Sequence, residues 1–263
     1  MFKKIINLSS ILVFSLFFLS TISVVAKAQE LHADDLQPWR IGAEIFVNSN
    51  FFEADFGDLP GGMFVTDEPG IDVNVAKGTF TPGNWLRFQP VGQLQFWNGN
   101  EWVLTTPNGE RIEITDALDA SISISTDDVS KTTAVIGEID SEGGLHEHLD
   151  FSVFDTSNAL NASVGAYRIQ LKLIETEAQS ELSVSIATAP ITIVFNRGLE
   201  NDAFELAASA AADLSNNAVF VADTGILTIQ EVKALGTYYK VKLQQIGDNQ
   251  FQLIEAEEAS RME

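Results

Sequence analysis

Apolar and polar residues alternate in short runs through most of this chain, the two-residue period of β-strands with one buried face. Ser121-Ile122-Ser123-Ile124-Ser125 alternates cleanly, and Tyr167 to Ile174 and Ile191 to Phe195 are longer apolar or alternating runs. Trp39 to Val47, Met63 to Thr66, Ile71 to Val75, Gln93 to Trp97 and Val135 to Ile139 read as further strands. Turn signals separate them: Asp58-Leu59-Pro60-Gly61-Gly62, Asp67-Glu68-Pro69-Gly70, Thr81-Pro82-Gly83-Asn84 and Pro107-Asn108-Gly109-Glu110. Asn98-Gly99 between Trp97 and Trp102 is a tight hairpin turn that lets the two indoles pair across strands. Phe204 to Leu214 is the one helical pattern, with Asn201 or Asp202 to cap it. Four more strand-like runs between Val219 and Ile254 form a small C-terminal β-meander. The pattern predicts an all-β antiparallel sandwich, immunoglobulin-like in plan, with one short helix. Its expected parts are residues 1–28 as a signal peptide, 29–200 as the sandwich, and 201–263 as helix, meander and acidic tail.

One strand carries chemistry. In Gly143-Gly144-Leu145-His146-Glu147-His148-Leu149-Asp150-Phe151, the residues Leu145, Leu149 and Phe151 alternate with His146, His148 and Asp150. One face is then core, and the other bears two imidazoles and a carboxylate. The chain has only three histidines, and two of them are here. The third, His32, lies early in the chain, where a first strand can pair beside a later one in a sandwich. Three histidines with a nearby carboxylate suit a transition metal. The expected ligands are His32, His146, His148 and Asp150, with water as the alternative fourth ligand and Asp34 in reserve. Zn2+ fits this set, and Cu2+ is the alternative, because the same donors bind Cu(II) more tightly.

Composition narrows the setting. With 15 basic and 37 acidic residues the formal net charge is −22, which repels nucleic acid and anionic membranes. There is no cysteine, so neither disulfides nor thiolate ligands exist. Lys3 and Lys4, the apolar run from Ile5 to Val25 and Ala26-Lys27-Ala28 read as a signal peptide cleaved after Ala28, the alternative being an uncleaved anchor. Cleavage there makes His32 the fourth residue, one too late for an amino-terminal copper chelate. The chain is expected in the periplasm or secreted, with no membrane attachment after cleavage. The expected partners are a metal ion and a metal transporter or other exported protein.

Other His-x-His chemistries fit poorly. A cupin needs a glutamate soon after the pair and a later histidine, whereas Ser152 and Val153 stand there and no histidine follows His148. Copper-zinc superoxide dismutase needs more histidines. A zincin needs His-Glu-x-x-His on a helix, and Glu147 points away from both histidines on a strand. No Ser-His-Asp set, phosphate loop, dinucleotide fingerprint or EF-hand is present, so no catalysis is assigned. A metal-dependent hydrolase with an open coordination position is the third reading. The second is a carbohydrate or adhesion module using Trp97 and Trp102.

The run Gly144 to Phe151, followed by Gly165-Ala166-Tyr167-Arg168-Ile169-Gln170-Leu171, resembles exported bacterial β-sandwich proteins with a G-x-H-x-H-x-x-F … P-G-x-Y signature. These include cyanobacterial zinc-regulated exported proteins and repeats of actinobacterial surface-anchored proteins. Val164 stands where that group has proline, and Ile193-Val194-Phe195-Asn196 looks like its terminal strand. The resemblance spans about Gly143 to Asn196, with a looser match at His32-Ala33-Asp34. It implies a sandwich with a histidine metal site and a link to zinc handling, and it implies no catalysis.

Overall fold

The structure is a computed structural model that describes residues 35–57, 59–60, 62–127, 132–178, 180, 182–215, 218–221, 225–234, 237–247 and 250–258. The expected signal peptide, the mature start at Gln29, and His32 and Asp34 lie outside the described residues.

The described residues open with β1 (Pro38–Ile41) and β2 (Glu44–Val47), a hairpin, and then β3 (Phe51–Asp55). Two short strands follow, β4 (Val65–Thr66) and β5 (Ile71–Asp72), and then β6 (Trp85–Pro90). Next come β7 (Gln95–Trp97), β8 (Trp102–Val103), β9 (Arg111–Thr115), β10 (Ser121–Ile124) and β11 (Ala134–Glu138). The histidine stretch forms β12 (His146–Glu147) and β13 (Asp150–Phe154), followed by β14 (Gly165–Thr176) and β15 (Ile191–Arg197). The helix α1 (Asn201–Ser215) precedes β16 (Ala218–Val221), β17 (Ile226–Ala234), β18 (Thr237–Gly247) and β19 (Gln250–Glu258).

Two sheets make the sandwich. One has the order β10-β9-β13-β4; the other is seven-stranded, β11-β6-β14-β15-β3, with β7 and β8 continuing from β14. All these pairings are antiparallel except β15 with β3. The alternation seen in the sequence becomes the interior. Ile112, Ile114, Ile124, Phe151 and Val153 from the smaller sheet meet Phe88, Tyr167, Ile169, Ile193 and Phe195 from the larger, all buried. The Phe151 and Phe195 rings stand 5.1 Å apart across the two layers. Tyr167 is held in a tyrosine corner: its hydroxyl donates 3.0 Å to the carbonyl of Ser163, four residues upstream.

Trp97 pairs with Trp102 across the β7–β8 hairpin, as the Asn98-Gly99 turn predicts. Both indoles engage the helix, Trp97 buried and Trp102 partly so. Trp97 is buried with Ala166, Val194, Phe204, Ala207 and Ala211, and the Trp102 indole N–H donates 3.2 Å to the Ala207 carbonyl of α1. The helix therefore packs on the outer face of the seven-stranded sheet, where Ala207 and Ala211 permit close approach. Strands β16 to β19 form a separate antiparallel meander in sequential order.

Candidate metal centre

The histidine stretch folds as the alternation requires, with one interruption. Leu145, Leu149 and Phe151 are buried, and the His146 and His148 rings lie 5.3 Å apart on the other face. Glu147 extends over Gly137 on the Leu145 side, away from the imidazoles. The ladder itself breaks in two. Phe151 stands opposite Thr66 and His146 opposite Asp72, so five steps on one strand face six on the other. The extra residue belongs to Asp67-Glu68-Pro69-Gly70, where Pro69 has no N–H to give to a ladder. This is a bulge, and bulges re-aim side chains. Here the loop turns its backbone toward His148.

Each imidazole is oriented. His148 Nδ1 lies 3.1 Å from the Asp67 carbonyl, which can accept only from a protonated nitrogen, so Nδ1 carries the hydrogen and Nε2 is left as donor to a metal. His146 Nδ1 is 3.6 Å from Asp72 Oδ2, its cross-strand neighbour, beyond a hydrogen bond but within an ion pair's range.

The third donor comes from the start of the described chain. Leu36 forms a parallel bridge with Ile71, its N–H donates 3.0 Å to the Gly70 carbonyl, and its carbonyl accepts from Asp72 at 3.0 Å. Asn48 Nδ2 donates to the Asp35 carbonyl at 2.9 Å. These bonds set the Asp35 side chain, 2% exposed, beside the histidines. A carboxylate oxygen of Asp35 and one nitrogen each of His146 and His148 lie within 4.8 Å of one another. Gly70 makes the meeting possible. A Cβ there would stand 2.7 Å from His148 Nε2 and 2.9 Å from Asp35 Oδ1.

A second group, Asp67, Glu68 and His148, also converges within 4.8 Å. It lies on the Nδ1 side of His148, whose nitrogen already bonds the Asp67 carbonyl, with both carboxylates 3.9 Å away. Burial raises the Glu68 carboxyl above its ordinary range, against the opposing pull of the Gly70 N–H and the His148 ring. These two acids line the rim of the site.

No protein-family profile matches the sequence, and no curated protein does either.

The structure thus brings together His146 and His148, two of the four residues expected as ligands. Asp150 is exposed on β13 opposite Thr115, and among the described residues it belongs to neither converging group. The ladder break after Glu147 hands Asp150 to β9 while His146 stays with β5, so the two no longer share one uninterrupted strand face. In the converging group the carboxylate is that of Asp35. The sequence signal for it is its place beside Asp34, the reserve ligand, in His32-Ala33-Asp34-Asp35.

Three donors at a zinc bond length of about 2.1 Å stand about 3.4 Å apart in a tetrahedral shell, so these side chains close by at most about 1.4 Å on binding. Side-chain torsions accommodate that. The imidazole edges stay accessible, at 38% side-chain exposure for His146 and 26% for His148, which leaves a side open to solvent.

Proposed function

We propose that this is an exported metal-binding protein that holds a divalent transition metal, zinc in the first place, as a carrier, buffer or sensor outside the cytoplasm. The carrying observation is the convergence of a buried Asp35 carboxylate with the His146 and His148 imidazoles within 4.8 Å. Nitrogen and oxygen donors without thiolate suit zinc or copper, and the resemblance to zinc-regulated exported proteins favours zinc. His32 is the proposed fourth ligand, with water as the alternative. It is three residues from Asp35, and three residues of extended chain span at most about 11 Å, so the tether keeps it in range. The N-terminal Lys-apolar-Ala-x-Ala pattern supports export to the periplasm or beyond. A solvent-open side suits a site that passes its metal to a transporter or another exported protein.

The test is metal analysis of protein purified without a histidine tag, followed by calorimetric titration with zinc and with copper. His146→Ala and His148→Ala are expected to abolish tight binding. Asp35→Ala should weaken it at least about tenfold, and Asp150→Ala should leave it near wild type. Wild-type protein that takes up neither metal refutes the reading.

A further inference from the structure

The ladder between β5 and β12 has only two pairs, Glu147 with Ile71 and His146 with Asp72. Residues directly opposite in such a ladder have Cβ atoms about 5 Å apart, so whatever stands at position 72 faces the His146 ring. Its chain neighbours Ile71 and Val73 are core residues, 5% and 0% exposed. Asp72 is itself 0% exposed. A carboxylate withdrawn from water is costly unless it meets a positive or hydrogen-donating group. The Oδ2 atom of this one points at His146 Nδ1 from 3.6 Å.

Resting on the metal reading above, we infer that Asp72 is the positioning residue for His146: it holds the hydrogen on Nδ1 and turns Nε2 toward the ion. It does for His146 what the Asp67 carbonyl does for His148. Both rings then present the same nitrogen to one point, and neither Asp72 nor Asp67 touches the metal. Asp72 would then accept a charge-assisted hydrogen bond from His146 Nδ1–H, strengthened when Nε2 holds an ion. The geometry also divides the two buried acids of the site by role. Asp35 neutralises charge on the ion, and Asp72 sets ring orientation from behind.

Two measurements on the full chain test this. In cadmium-loaded wild-type protein with isotope-labelled histidines, metal–nitrogen NMR couplings are expected at Nε2 of both His146 and His148, with a proton retained on each Nδ1. A coupling at Nδ1 of His146 overturns the inference whether or not any variant folds. Asp72→Asn keeps the shape and removes the charge, so it should lower zinc affinity by about 10–100-fold. Metal-free thermal stability should not fall with it. Wild-type affinity in Asp72→Asn removes the positioning role while leaving the metal reading intact. Wild-type protein that binds neither zinc nor cadmium removes both.

Discussion

At the scale of single residues, Gly70 separates binding from folding. Its φ is not in the left-handed region, so alanine suits the backbone; only the space above it is taken. A methyl group there meets His148 Cε1 at 2.6 Å and Nε2 at 2.7 Å, and a ring on a half-exposed edge can swing away. Gly70→Ala is therefore expected to cost no more than about 1–3 kcal/mol of stability and to weaken zinc binding at least about tenfold. Paired melting and titration measurements check this, and an unchanged affinity would sink the role given to Gly70. The same scale shows where the sequence was legible. Strand alternation put His146 and His148 on one face and Glu147 on the other without any knowledge of the fold. Asp35 could not be found that way, because it reaches the histidines only through Leu36 bridging to Ile71. Nor could the loss of Asp150, which depends on one bulge at Pro69.

At the scale of elements, turns and hairpins were the most legible features, because their residue types are dictated locally. Asn98-Gly99 set the Trp97–Trp102 pair, and Gly99 has a φ of 100°. The site of helix docking was not legible: an alanine-rich helix face fits many surfaces, and Trp97, Trp102 and the small outward residues Ala166 and Val194 together select this one. The Pro107-Asn108-Gly109-Glu110 turn does more than reverse the chain. Fully buried Glu110 accepts from the Ser163 hydroxyl and amide and, at 2.8 Å, from the Asn108 amide. Burial acts to raise its carboxyl, but those hydrogen bonds outweigh it and hold it below the ordinary range. A depressed folded-state value means stability that is complete above the ordinary carboxylate range and is lost as pH falls through the folded value. Glu110→Gln should lower stability by about 1–3 kcal/mol at neutral pH. Its melting temperature should then fall less than that of wild type on acidification from about pH 7 to about pH 3. Parallel acid slopes would mean that Glu110 gives no charge-dependent stability.

At the scale of the whole molecule, the proposed metal would act as a fastener in a chain that has no cysteine to make one. The β1–β2 hairpin is held without it. Arg40 pairs with the fully buried Glu175 at 2.7 Å, and Ile45 packs into the core. Asp35, the first described residue, meets a distant part of the sandwich through its side chain, at the histidine site. A bound ion there would join the start of the described chain to β12, and because only the folded chain brings these donors together, it would stabilise by binding that state alone. Zinc at a hundredfold excess over its dissociation constant should therefore stabilise the protein by about 2.7 kcal/mol, as linkage requires of any ligand specific to the folded state. The structural part of the expectation is more specific. Zinc should slow protease cleavage on the N-terminal side of Leu36, while the β1–β2 hairpin stays equally protected with and without metal. Asp35→Asn should erase the difference at the N-terminal cuts and leave the hairpin pattern alone. Zinc that raises the melting temperature of wild type with no change in N-terminal cleavage would place the ion on the histidines without Asp35, and the fastening role would be lost.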